Sequence, residues 1–150
     1  MGTRIDFKSP GDSCFAPAGH SPSRKNRCAV FWDSLIERDY FLLLEHDPRV
    51  VRYVPQPETI DITLDPRWKS YTSDVLVVHE DGTLCRVEVK SDKAVQDPEI
   101  AARLGVIGVQ YLIEGKDFRV VTASQIRVGK RVINLRALRH YTRVPLDEKS

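Results

Sequence analysis

The chain has 150 residues, a mass of 17.1 kDa, 41% apolar and 29% charged residues. That is one domain's worth of ordinary globular composition and too little for two separate cores. No apolar run approaches the roughly 18 to 20 residues that span a bilayer, and Met1 to Lys8 holds no apolar signal segment. Three cysteines, Cys14, Cys28 and Cys85, have no paired spacing. A disulfide scaffold is not expected, and a reducing, cytoplasmic setting is.

The net charge is only +2, but it is unevenly spread. Residues 1–30 hold five Lys/Arg against two Asp, and residues 116–150 hold nine Lys/Arg against three acids. The centre is therefore acidic, near −7. Basic ends suit a polyanion such as nucleic acid, or are simply solvated tails. An acidic centre suits hard divalent cations.

Residues 1–30 are rich in Pro, Gly, Ser and basic residues, and read as a flexible basic arm. Ser21 to Arg27, with Arg24 and Lys25, is a candidate phosphate-contacting stretch or a disordered leader. A helix follows, capped by Asp33 or Ser34 and ended by Asp47-Pro48. It carries Glu37 and Glu45. Val50 to Val54 is a short extended piece. Thr59 to Leu64 alternates as a half-buried strand, with Ile60, Ile62 and Leu64 on one face.

Thr72 to Val78 is a second strand. Glu80-Asp81-Gly82-Thr83 is a hairpin turn, and Leu84 to Lys90 is the third strand. Period-two alternation sends Cys85, Val87 and Val89 one way and Arg86, Glu88 and Lys90 the other. Asp97-Pro98 opens a second long helix with a stripe at Ile100, Leu104, Ile107 and Tyr111, closed at Glu114-Gly115. Phe118 to Thr122 is a fourth strand, and Ser124 to Ile126 one helical turn. Asn134 to Tyr141 is a final basic helix. The expected fold is α/β (α+β), a mixed β-sheet flanked by helices. The expected units are an arm over 1–30, a core domain over 31–133 and a basic helix and tail over 134–150.

The chemically loaded segment is Asp74, then, across the hairpin, Glu88-Val89-Lys90. Two carboxylates a few ångströms apart repel unless a cation sits between them. A hard divalent ion with oxygen ligands resolves that, and the backbone carbonyl of Val89 offers a third oxygen. Lys90 would orient or help deprotonate an attacking water, and Glu37 would complete the shell. The same charges would also decorate the wet face of an edge hairpin. A two-residue Asp81-Gly82 loop would put Asp74 and Glu88 on opposite faces of the sheet. Either the turn is one residue longer or the strand is irregular near Ser73-Asp74.

Cys14, His20 and Cys28 lack any standard zinc-ligand spacing.

Several stretches in order are similar to the N-terminal catalytic domain of TnsA-like endonucleases. They are Trp32 to Glu45, Asp47 to Pro57, Tyr71 to Val77, Asp81-Gly82-Thr83, Val87 to Lys90, Asp117 to Thr122 and Asn134 to Arg139. The resemblance implies a restriction-endonuclease-like core of the PD-(D/E)XK superfamily. It implies that Glu37, Asp74 and Glu88 surround Mg²⁺ (or Mn²⁺) as one or two ions, and that Lys90 is the catalytic lysine. It departs at Ser73, where the family often has proline, and Glu88 stands where some relatives carry glutamine. Of the helical C-terminal domain that contacts transposase partners in full-length TnsA, only the first helix is expected.

The expected activity is Mg²⁺-dependent DNA cleavage by a protein of a mobile element, a transposon or a bacteriophage. Phage head-completion nucleases share the broad fold. The expected partners are DNA and a transposase or phage-particle protein, with no membrane, in the bacterial cytoplasm or a virion. Arg24, Lys25, Arg127, Lys130 and Arg131 are the expected backbone contacts. The alternative is a nuclease-fold structural or DNA-binding subunit in which cleavage is secondary or partner-activated.

Overall fold

The structure is a computed structural model and describes residues 18–143. Cys14 and the last residues of the expected tail lie outside that range.

The sheet is built from a hairpin and two flanking strands. β6 (Val75–His79) and β7 (Leu84–Lys90) pair antiparallel, with Val75 opposite Val87 and Val77 opposite Cys85. The loop between them is one residue longer than an Asp-Gly pair. The His79 N–H donates to the Thr83 carbonyl at 2.9 Å, enclosing Glu80, Asp81 and Gly82. Gly82 sits at φ +85°, the left-handed region that closes a three-residue hairpin loop. Asp81 secures the turn by accepting the Thr83 N–H at 2.9 Å. The extra residue puts every even position of β6 and β7 on the same face.

β3 (Val50–Pro55) pairs antiparallel with β6, and β8 (Asp117–Thr122) pairs parallel with β7. The order β3-β6-β7-β8 is a mixed four-stranded sheet. A parallel neighbour needs a crossover. Here it is α2 (Asp92–Gln96) followed by α3 (Pro98–Ile113). Asp97 caps α3, accepting the N–H groups of Glu99 and Ile100, and Pro98 stands where a helix loses no hydrogen bond to it.

α1 (Leu35–His46) covers one face of the sheet. There Phe41 and Leu44 pack with Val75, Val77, Val87 and Val89, joined by Ile126 of α4 (Ala123–Ile126) and Val132 of α5 (Arg131–Arg143). α3 and a two-stranded ribbon, β4 (Thr59–Asp61) with β5 (Ser70–Thr72), form a second cluster from Ile60, Ile62, Tyr71, Ile107 and Tyr111. The result is the expected mixed sheet flanked by helices.

Four sequence readings change. Residues 18–30 are not an arm. β1 (Gly19–Ser23) and β2 (Cys28–Trp32) form an antiparallel hairpin. Glu45 of α1 holds its turn, accepting from Ser23 Oγ at 2.7 Å and the Arg24 N–H at 2.8 Å, while Tyr53 donates to it at 2.7 Å. Gly19 is required there, because a Cβ would fall 2.3 Å from the Trp32 indole. The strand expected over 59–64 stops at Asp61, since Thr63 gives its N–H to the Gln110 side chain of α3 instead of to a ladder partner. Leu64 is 46% exposed. The strand expected over 72–78 is two strands, broken at Ser73-Asp74. The last helix begins at Arg131, and Val132, ahead of the expected span, enters the core.

Candidate active site

The break between β5 and β6 is what shapes the site. β6 stops pairing with β7 at Val75–Val87. Beyond that point the Val89 N–H has no ladder partner on β6, and Asp74 supplies one: its Oδ2 accepts that N–H at 2.7 Å. In an extended strand a residue's N–H and C=O point to the same side. The Val89 carbonyl therefore faces the same gap as the Asp74 carboxylate.

Glu88 lies one position back on β7, across from Asp74 in the continued register and on the same face. It is buried, with one oxygen on each of two neighbours. Oε1 lies 3.0 Å from Lys90 Nζ, and Oε2 accepts the hydroxyl of Tyr71 in β5. Arg103 of α3 lies over the Tyr71 ring, 5.8 Å from its centroid. Burial and the Glu88 charge both push the Tyr71 hydroxyl well above its ordinary range, so it is a donor at every working pH.

Glu37 comes from the first turn of α1. Its backbone N–H donates to Ser34 Oγ at 3.1 Å, and that hydroxyl donates to Glu37 Oε2 at 3.0 Å. This is helix capping by the Ser-x-x-Glu pattern, so Glu37 also has a structural use. Burial raises its carboxyl above the usual range, and the nearby charges of Asp33 and Glu88 add to that. Asp74 is raised further, to about 8, by burial first and then by Glu88, with Glu37 contributing and Lys90 opposing. Two buried acids and the half-buried Asp74 thus repel one another, with the Lys90 ammonium beside them.

The candidate metal set is narrower than expected. Among the described residues no three Asp, Glu, His or Cys side chains form a metal-holding group. Asp74 and Glu88 are adjacent positions of one ladder, whereas Glu37 reaches the region from another element and is tied to its cap. This donor set still fits Mg²⁺, which is held by one or two carboxylates together with waters and substrate phosphates. The desolvation of Asp74 and the Glu88 charge beside it are the observations behind that fit.

The expected backbone contacts are divided by the structure. Lys25 is not free for phosphate. Its ammonium donates to the carbonyls of Leu44 (2.7 Å) and Asp47, closing the C-terminus of α1. Arg127 donates from Nε to Asp39 Oδ2 at 2.9 Å. Arg24, Lys130 and Arg131 are exposed surface residues. His20 packs its ring against Phe31, and Cys28 is an exposed free thiol in the same hairpin.

Tyr71 carries a role that the spacing of the acids does not show. It falls in the stretch before Asp74, but only the strand break turns its hydroxyl onto Glu88.

A mixed sheet between helices, with carboxylates and a lysine gathered where one strand breaks, has the restriction-endonuclease-like architecture. The family model for the TnsA-like endonuclease N-terminal domain matches residues 47–123, from the end of α1 to the start of α4. The chain belongs to the TnsA-like endonuclease family. The match includes Tyr71, Asp74, Glu88, Val89 and Lys90, and leaves Glu37 outside. No curated protein matches the chain. Among the described residues no helix is long and apolar enough to cross a membrane.

Proposed function

We propose that this nuclease-family protein is a divalent-metal-dependent DNA endonuclease, with Asp74, Glu88 and the Val89 carbonyl as the metal-holding edge and Lys90 beside it. The observation that carries this reading is the Asp74–Glu88 pair: a half-buried and a buried carboxylate on one face, the first with its pKa pushed up to about 8 by desolvation and by the Glu88 charge. Such a site favours a cation of charge two over a proton. When bound, Mg²⁺ or Mn²⁺ supplies charge neutralisation at the phosphodiester and a more acidic water.

The chain's own groups do the rest. The Val89 N–H holds one Asp74 oxygen, leaving Oδ1 for the cation. Tyr71 fixes one Glu88 oxygen. Lys90, 3.0 Å from Glu88, is placed to donate to a water attacking the phosphorus or to an oxygen of the scissile phosphate. Glu37 adds negative charge from α1 and acts beside the set rather than as its equal member. The family supports a nuclease working beside a transposase subunit, and the basic ends of the chain support a nucleic-acid substrate.

The test is cleavage of supercoiled plasmid with Mg²⁺ or Mn²⁺, beside EDTA and Lys90→Ala controls. Nicking or linearisation that disappears in both controls is expected. Cleavage that persists in either control overturns the assignment.

A further inference from the structure

Asp39 is the most deeply buried charged residue among those described, with its side chain 1% exposed. It stands on α1, two residues beyond Glu37. Three arginines from three elements converge on it. Arg38 of α1 donates to Oδ1 through Nε at 3.3 Å and Nη2 at 3.2 Å. Arg127, at the end of α4, donates to Oδ2 through Nε at 2.9 Å. Arg136 of α5 brings Nη2 to 3.7 Å from the same oxygen, an ion pair without a hydrogen bond. Their side chains are 30%, 43% and 45% exposed.

A buried carboxylate needs compensation, and one well-bonded arginine can supply it. Three leave the cluster two charges in excess. Among the described residues Arg127 uses one of its five N–H donors on Asp39, and Arg136 makes no hydrogen bond to it. All three arginine side chains remain partly accessible to solvent. Arg38 is further held with its guanidinium 5.9 Å from the centroid of the Trp32 ring. A guanidinium whose stem is fixed in this way loses little freedom on binding, and its planar fork matches a phosphate oxygen pair.

We infer that Arg38, Arg127 and Arg136, gathered by Asp39, form a clamp for the phosphodiester backbone of DNA, distinct from the carboxylates that cut it. The inference rests on the nuclease reading and deepens it. Arg38 and Asp39 share α1 with Glu37, so one helix links the clamp to an acid whose charge is felt at Glu88 and Asp74. Asp39 acts as a positioning residue.

The experiment is binding of the full chain to a short fluorescent DNA duplex in EDTA, followed by anisotropy across a series of KCl concentrations. Without metal there is no turnover, so this result stands apart from the plasmid assay. Arg38→Gln and Arg136→Gln are each expected to reduce the slope of log K against log salt by about 0.9, one phosphate contact each. Arg136→Lys keeps the charge and should keep the slope. Arg136 makes no hydrogen bond to Asp39, so its variants should melt with the parent protein, which a thermal scan checks. An unchanged slope in Arg38→Gln and Arg136→Gln overturns the clamp, as does a parent protein that binds no duplex in EDTA. Inorganic phosphate titrated at constant ionic strength separates the two sources of the ligand. Saturable phosphate binding with no change of duplex slope in the variants also overturns the clamp.

Discussion

Asp74 and Val89 meet across the gap left when β6 stops pairing with β7: the carboxylate accepts, at 2.7 Å, the N–H that the ladder no longer uses. A side chain has replaced a strand. That exchange holds Asp74 on the same face as Glu88, and it sets the energetic character of the site. One N–H stabilises the Asp74 charge, while burial and two neighbouring acids oppose it.

The first consequence concerns stability. The folded pKa of Asp74, about 8, lies above its ordinary value near 4. The folded protein then binds the proton more tightly than the unfolded chain. This contribution is complete below about pH 4 and is lost as the pH rises through about 8. The metal-free protein should melt at progressively lower temperature between pH 5 and 8. Asp74→Asn keeps an acceptor for the Val89 N–H and removes the charge. At pH 8 it should melt higher than the parent by several degrees, corresponding to about 1–3 kcal/mol. Thermal denaturation in EDTA at pH 5 and pH 8 measures this. A variant that melts at or below the parent at pH 8 contradicts it.

Tyr71→Phe removes the hydroxyl that holds one Glu88 oxygen. The lost bond to a buried charge should cost about 1.5–3 kcal/mol in stability. The metal concentration needed for half-maximal cleavage should rise about 10-fold to 100-fold, while duplex affinity in EDTA stays unchanged. A purely structural role would lower the melting temperature without moving the metal requirement.

Lys25 separates the sequence expectation from the structural finding. Its ammonium closes the C-terminus of α1 at the Leu44 and Asp47 carbonyls. Lys25→Met should therefore cost about 1–2 kcal/mol of stability. The salt slope of DNA binding should not change. A slope reduced by about 0.9 would restore Lys25 as a backbone contact.

The three acids should not be equivalent. Glu88→Gln is expected to reduce plasmid cleavage by about 10²–10³-fold. Glu37→Gln, which keeps the capping geometry at Ser34, should reduce it by about 10-fold. Equal losses would make Glu37 a full ligand, which its placement does not favour.

Signals that act over a few residues are legible in the chain itself. Ser34 and Asp97 cap helices because their oxygens reach N–H groups two or three residues on. Alternation in β7 put Val87 and Val89 into the core and Glu88 on the opposite face, since side-chain direction follows from strand pleat alone. Asp74, Glu88 and Lys90 were legible as a set because their types and order suit one chemistry.

Other features depended on contacts distant in sequence. Glu80-Asp81-Gly82-Thr83 signals a hairpin, but its loop length was decided by which residues paired, and that put Asp74 and Glu88 on one face. Residues 18–30 look like an arm by composition, yet Glu45 and Tyr53 tie their turn to α1 and β3. Tyr71, Arg38 and Arg136 have no spacing that marks them. They matter because a strand break and helix packing bring them to Glu88 and Asp39. The sequence by itself determined the mixed α/β class, the caps and turns, and the residue types of the site, all governed by short-range sterics and hydrogen bonding. Only the tertiary structure decided the sheet register, the grip of Tyr71 on Glu88 and the convergence of three arginines on one buried aspartate. Those arrangements arise when segments far apart in the chain share a low-dielectric interior, where each charge and N–H must find a partner.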